Sequence, residues 1–257
     1  MQIAVVGAGI FGCCSAIELS KAGHKVTLFD KNDRILSSAS QINQYRLHRG
    51  YHYPRSVETV ITTKQTVQQF EEMFSSDLLV DFDRYYAIAK ECSITSPDQY
   101  IQFLNENGLE YEVVDPFIDV PLMVKVKENS FNPFGLYYSV LDRLRINKVK
   151  VKLNTLFSKP DIDKFDVVVN ATYSDINGLI DEFEQETYQF ELVEKVTVHT
   201  PPKYKNKSLV ILDGHFCCID PITQRQYSVL GHVKEAIHDV QVGTNYKMLR
   251  QYAWVVN

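Results

Sequence analysis

The sequence predicts an α/β protein of two lobes, each assembled from segments that are not contiguous in the chain. Three observations carry this. The first thirty residues read as strand, turn, helix, turn, strand. A second helix and strand, from about Pro133 to Leu153, lead into the run DKFDVVVNAT at 163–172. From 188 to 234 the pattern turns β-rich, with Pro and Gly turns, as in a largely antiparallel sheet.

Residues 2–6, QIAVV, form an apolar run that glycines end, which predicts a strand. Residues 11–22 place Phe11, Cys14, Ile17, Leu19 and Ala22 at helical spacing, with Gly23 where a C-cap glycine belongs. KVTLF at 25–29 is the second strand, parallel to the first because a helix crosses between them. Residues 31–56 have no clean period and read as a long loop with one helical turn.

Val57, Val60, Ile61, Val67, Phe70 and Phe74 predict a helix over 56–75. LVDFDRYYAIAK, 79–90, reads as paired strands. Residues 96–107 carry a Ser N-cap, Pro97 at the first position and Gly108 beyond the end, a well-punctuated helix. Residues 111–115 and 121–127 read as extended. A helix over 133–145 and a strand over 148–153 follow, and VVVNAT reads as a buried strand. The tail, 243–257, reads either as a helix or as irregular chain. The division expected is 1–78 plus 130–182 for the first lobe and 79–129 plus 183–240 for the second, with 241–257 as a tail.

The 257 residues are 45% hydrophobic and 23% charged, ordinary for a globular protein. A net charge of −5 excludes a global basic field for nucleic acid. Cys13, Cys14, Cys92, Cys217 and Cys218 make an odd count without CxxC spacing, so neither zinc nor a disulfide framework is expected. The reading is a reducing, cytoplasmic compartment. The N-terminus lacks the basic start of a signal peptide, and no apolar run is long enough to span a membrane.

Gly7-Ala8-Gly9-Ile10-Phe11-Gly12 is a GxGxxG that follows a strand and opens a helix, the context this motif needs. Gly7 permits the tight turn, Gly9 lets a pyrophosphate approach the backbone, and Gly12 lets the helix pack on the strands. The helix N-terminus then faces the phosphates. Asp30 ends the second strand, placed to accept the ribose hydroxyls of an adenosine and to repel a 2′-phosphate, against NADP. Either FAD or NAD uses this fingerprint, and the long polar loop after Asp30 is unlike the regular βα units that usually continue an NAD site.

Three stretches together are more specific: GAGIFGCCSAIELSKAGHKVTLFD, SASQINQYRLHRGYHYP and DVVVNAT. With them, the chain from about Met1 to Val233 resembles the D-amino-acid oxidase-like group of FAD-dependent oxidoreductases. That group includes glycine oxidases, 2-hydroxyglutarate dehydrogenases and glycerol-3-phosphate dehydrogenases. The resemblance implies a Rossmann-type FAD-binding lobe and a mixed, largely antiparallel β substrate lobe. It places Gly7, Gly9, Gly12 and Asp30 on the ADP half of FAD, flanked by Lys31 and Arg34. Ser40, Asn43, Gln44, Arg46, Leu47 and His48 would follow the pyrophosphate, ribityl chain and flavin, and Ala171 and Thr172 would close over the adenosine side. Tyr173 stands where the group usually has glycine.

Members of the group are usually longer and end in another glycine-rich segment that covers the flavin. After Gly231 only Gly243 remains here. The resemblance therefore implies a truncated chain, half of a split protein whose partner chain supplies that segment, or an incomplete flavin site.

For chemistry, His48 is the candidate at the flavin face, as a proton acceptor, a stabiliser of reduced flavin or a covalent anchor; the alternative is a histidine satisfied by loop backbone. His52 follows as a second catalytic candidate and Tyr53 as a substrate candidate. Arg55 reads either as a clamp for a substrate carboxylate or phosphate or as a surface partner of Asp81 or Asp83. In the β-rich lobe, His215, Tyr227 and His232 are substrate candidates, each with a structural alternative. The function expected is FAD-dependent oxidation of a small amine or hydroxy compound: an amino acid, a 2-hydroxy acid or a sugar derivative. A flavoprotein fragment acting as a nucleotide-binding or partner module is the alternative, and an NAD-dependent dehydrogenase the third reading.

Overall fold

A computed structural model describes residues 1–74, 78–214, 217–222 and 226–246. In chain order, the first half holds β1 (Gln2–Val6), α1 (Ile10–Lys21), β2 (Lys25–Phe29), α2 (Val57–Met73), β3 (Leu79–Val80), β4 (Asp83–Ile88), α3 (Pro97–Glu106), β5 (Tyr111–Val113) and β6 (Leu122–Val126). The second half holds β7 (Ser130–Phe131), α4 (Pro133–Ile146), β8 (Lys150–Lys152), β9 (Val167–Asn170), β10 (Tyr188–Val193), β11 (Val196–His199), β12 (Lys207–Leu212), β13 (Cys217–Pro221), β14 (Tyr227–His232) and β15 (Ile237–Gly243). The chain forms two compact units: Met1–Asn43, Tyr137–Val193 and the chain from Ile237, against Gln44–Leu136 and Glu194–Ala236.

The first unit is built on a parallel sheet in the order β8-β2-β1-β9. Its two central strands are short and apolar because both faces are covered, as parallel sheets require. Ala4, Val6, Phe29 and Phe157 form one core cluster, with Ile162, Phe165, Val168 and Leu179 packed on it. α1 packs on β1 and β2. β10 and β15 pair antiparallel as a separate ribbon.

The second unit is a seven-stranded mixed sheet, β11-β14-β13-β12-β4-β6-β5. The period of two is clear on β4. Tyr86 and Ile88 join the cluster that holds Val60 of α2 and Tyr100, Phe103 and Leu104 of α3. Tyr85 and Ala87 face the opposite cluster with Met123 and Leu209. α3 begins with a capping box: the Ser96 hydroxyl accepts from the Gln99 N–H, and the Gln99 side chain accepts from the Ser96 N–H.

Four expectations are corrected. The VVVN strand is not buried. β9 is the edge of its sheet and Val167 is 38% exposed, because four β-branched or polar residues can face a single partner strand. Residues 79–90 do not pair with each other: β3 pairs with β7, and β4 lies between β6 and β12. The region 188–232 is not one antiparallel sheet, since β10 pairs with β15 and β12 runs parallel to β4. The loop after β2 does hold a single helical turn, where the Ser38 carbonyl accepts from the Gln41 and Ile42 N–H groups, and Arg46 forms a bridge with Ser130. The units also divide differently from the lobes expected. Residues 44–78 and 130–136 cluster with the second unit and 183–193 with the first, because long-range pairings such as Arg46 with Ser130 and β10 with β15 decide membership. The tail residues 247–257 lie outside the described residues.

Candidate functional site

In the first unit, β1 delivers the chain to Gly7, whose φ of +100° is the left-handed region that favours glycine. A side chain there would strike the Ala171 carbonyl oxygen at 2.4 Å, and one at Gly12 would strike the Gly7 oxygen at 1.7 Å. These two glycines are demanded by the protein's own packing. Gly9 differs. A Cβ there would meet only the Ser40 Oγ, at 3.4 Å, an ordinary contact, so the protein's own packing does not demand a glycine at this position.

Gly9 is the N-cap of α1 and offers no side-chain cap. Ser40 Oγ accepts from the Ile10 N–H at 3.0 Å. Among the described residues, the N–H groups of Phe11 and Gly12 have no partner. A helix N-terminus with free donors is an anion site.

Asp30 closes the loop from the other side. Its Oδ2 accepts from the Ala8 N–H at 2.6 Å and its Oδ1 from the Asn32 N–H at 2.8 Å. Each oxygen keeps a second lone pair for a hydroxyl donor. Lys31 forms an ion pair with Asp175, and its ammonium also reaches the Tyr246 hydroxyl at 3.4 Å. Arg34 donates to Gln41 at 2.7 Å, and Asn43 to the carbonyls of Ala39 and Ser40. Ala171 donates to the Val6 carbonyl, and the Thr172 hydroxyl to Asn170 at 2.6 Å. Tyr173 takes φ +57°, so the backbone here has the shape that suits a glycine although the residue is not one.

In the second unit, the loop from Gln44 packs inward. Gln44 reaches Cys218 Sγ at 3.5 Å, and the Leu47 N–H donates to Asn129. Arg46 was expected in the run along the pyrophosphate, ribityl chain and flavin. Its guanidinium is instead spent on Asp220, by bonds of 2.7 and 2.9 Å, with both side chains 2% exposed. Desolvating a guanidinium without a carboxylate partner costs too much for any other placement at this depth.

Arg84 lies in the same cluster. It donates to Ser208, Ser130 and the Glu128 carbonyl, and lies 3.5 Å from Asp220. Glu128 accepts from the Tyr86 hydroxyl at 2.8 Å and the Arg49 N–H at 3.0 Å.

His48 stands beside this cluster. Its side chain is 30% exposed, but Nδ1 is buried, has no hydrogen-bond partner among the described residues, and lies 3.8 Å from Glu128 Oε1. Burial, then the Arg46 and Arg84 charges, push its pKa down to about 3. Burial, then His48 and Arg46, push His52 down to about 4. The two imidazoles are 5.4 Å apart by ring centroid, and the Tyr53 ring contacts both. All three rings are therefore neutral at physiological pH.

The remaining candidates have structural partners. Arg55 is bidentate on Asp213, at 2.9 and 3.2 Å, rather than paired with Asp81 or Asp83; Asp83 pairs with Lys125. His232 Nδ1 accepts from the Lys234 and Glu235 N–H groups and caps a turn. The Tyr227 ring lies against His199, centroids 4.5 Å apart. His215 lies outside the described residues. A cleft of about 760 Å³ in this unit is lined by Arg49, Lys64, Asp83, Glu110, Lys125 and Lys127, and by neither His48 nor His52.

Sequence reasoning missed Glu128, Asp220 and Arg84. A signal was present: Asp220 in CCIDP and Arg84 in DRYYAI are charges inside apolar strands, where a buried partner is required.

A glycine turn opening onto a helix N-terminus, with an acidic residue at the next strand end, defines a dinucleotide-binding protein. The chain belongs to the DAO family, FAD dependent oxidoreductase, whose family model matches residues 2–211. It is 26% identical to the FAD-dependent monooxygenase kojA of Aspergillus flavus, over 90% of this chain and 63% of that protein. The chain thus spans less than two thirds of that relative. The fold is similar to that of glycine oxidase from Geobacillus kaustophilus, with TM-score 0.68, 16% identity, and coverage of 95% of this chain and 72% of that one. It is also similar to L-amino acid deaminase from Proteus vulgaris, with TM-score 0.68, 14% identity and coverage of 90% and 60%. No helix among the described residues is long and apolar enough to cross a membrane.

FAD is the family's cofactor, and the residues present fit it. Gly9, which the protein's own packing does not demand, admits a pyrophosphate, the α1 N-terminus supplies donors, and Asp30 keeps acceptor capacity for the ribose.

Proposed function

We propose that the protein is an FAD-dependent oxidoreductase that oxidises a small amine or hydroxy compound: an amino acid, a 2-hydroxy acid or a sugar derivative. The observation that carries this reading is Gly9, a glycine that the protein's own packing does not demand, at a helix N-terminus in a chain of this family. FAD held there would supply the two-electron acceptor for a hydride that leaves the substrate carbon. The chain's own part is binding and proton handling. Gly7, Gly9, Gly12 and Asp30 hold the ADP half. His48, neutral at rest, accepts the proton that leaves the substrate nitrogen or oxygen, and the product is an imine or a carbonyl compound. His52 and Tyr53 pack against His48 and limit its rotation.

The test is in two parts. Purified protein is expected to be yellow and to release FAD on denaturation, and FAD is expected to raise its unfolding midpoint more than NADH does. Anaerobic addition of amino acids, 2-hydroxy acids and sugar derivatives then identifies the class that bleaches the flavin. A colourless protein that ignores added FAD would sink the reading. Five free cysteines support a reducing, cytoplasmic location, which thiol alkylation in intact cells checks.

A further inference from the structure

The His48 imidazole has an unusual surrounding. Its Nδ1 is buried without a hydrogen-bond partner among the described residues, a state that is costly unless motion completes it. The acceptor facing it is Glu128 Oε1, 3.8 Å away. Shifting the ring by about 1 Å closes that gap to hydrogen-bond range. Functional hydrogen bonds are often long before substrate is bound.

Glu128 itself is held firmly. Tyr86 donates to its Oε1, the Arg49 N–H donates to its Oε2, and Arg84 Nε lies 3.7 Å from Oε1. Oε1 has a second lone pair to give. The other charged groups near His48 are Arg46, Arg84 and Asp220, and the two arginines cannot accept a proton.

We propose that Glu128 is a positioning residue for His48: Oε1 accepts the Nδ1–H, fixes that tautomer, and leaves the lone pair on Nε2 to take the substrate proton. This rests on the reading of His48 as the proton acceptor. When His48 takes up a proton at Nε2, the imidazolium carries hydrogens on both nitrogens. The Nδ1–H then bonds a carboxylate, and the closed pair offsets the two nearby guanidinium charges. Neutral His48 therefore becomes more basic as the pair closes. That reconciles a ring held neutral at rest with a ring that works as a base.

The direct test is nitrogen NMR of the FAD-loaded protein, with labelled histidine and His48 assigned by its absence in His48→Gln. The wild-type ring is expected in the Nδ1–H tautomer, and Glu128→Ala is expected to return it to the Nε2–H form that dominates in free histidine. Glu128→Gln, whose amide oxygen still accepts, is expected to keep the Nδ1–H tautomer while moving the acid limb of kcat/KM to lower pH.

A wild-type ring in the Nε2–H form overturns the proposal, whether or not any variant folds. So does a tautomer that Glu128→Ala leaves unchanged. Loss of turnover in His48→Gln is a separate result and reports on the proposed function: an Nδ1–H ring in an enzyme indifferent to His48→Gln would overturn that reading and leave the positioning intact.

Discussion

Arg46 and Asp220 meet in a two-point ion pair, 174 residues apart in the chain and shut away from water. Ser208 donates to the same carboxylate at 2.5 Å. Removing one partner strands a buried charge, which costs about 3–5 kcal/mol, whereas replacing both by apolar groups is often close to neutral. Asp220→Ala is therefore expected to lose about 3–5 kcal/mol in urea unfolding, and Arg46→Met with Asp220→Leu to recover a large part of it. A loss below about 1 kcal/mol would place the pair with exposed surface bridges.

The histidines near this cluster give stability a pH dependence of definite sign. His48 and His52 fall from 6.5 to about 3 and about 4 in the folded protein. Between those values and 6.5 the unfolded chain binds protons that the folded chain refuses, so stability is fully present above 6.5 and is lost as pH falls. Near pH 5 unfolding should take up as many as about two protons from this pair. The urea midpoint measured from pH 7.5 to 4.5 checks this, and the double variant His48→Gln, His52→Gln should flatten the slope.

The three motif glycines should separate cleanly. Gly12→Ala puts a methyl group into the Gly7 carbonyl oxygen, and Gly7→Ala puts one into the Ala171 carbonyl at a φ of +100°. Both should lower the melting temperature and reduce soluble yield. Gly9→Ala makes only an ordinary contact with Ser40 Oγ, so the fold should stand while FAD affinity falls about tenfold or more, ~1.4 kcal/mol. Thermal melts with and without FAD read both effects.

His48→Ala should lower turnover by about 10²–10⁴-fold, the usual contribution of a positioned acid or base. FAD content should change little, since on the proposed reading the glycine loop and Asp30 hold the ADP half. Stopped-flow flavin reduction and the FAD-to-protein absorbance ratio measure the two independently.

The strand, glycine turn and helix at the N-terminus were legible because local signals agree there: an apolar run, the GxGxxG spacing and a C-cap glycine. α3 was legible for the same reason, through Ser96, Pro97 and Gly108. What the sequence did not disclose is pairing over distance. VVVN reads as buried from composition alone, but only its register shows it to be an edge. Arg46 follows Gln44 in a polar loop and reads as a ligand, yet Asp220 claims it from far along the chain. Its partner cluster was hidden because single charges in apolar strands have no period to mark them.

Arg55 is where the two readings of the loop part most sharply. As a clamp for a substrate carboxylate it would leave its guanidinium open. In the structure it is bidentate on Asp213, a carboxyl that is itself buried and also bonded by the Thr95 hydroxyl, while the arginine side chain stays 61% exposed. The pair holds the loop end against β12 and the chain that follows it. Arg55→Ala then takes two donor nitrogens from the buried Asp213, and should cost about 1–3 kcal/mol of stability. The KM for a carboxylate substrate should be unchanged. Arg55→Lys should recover only part of the stability, because one ammonium cannot reproduce the fork. A tenfold rise in KM with an unchanged unfolding midpoint would instead make Arg55 the substrate clamp and its contact with Asp213 incidental.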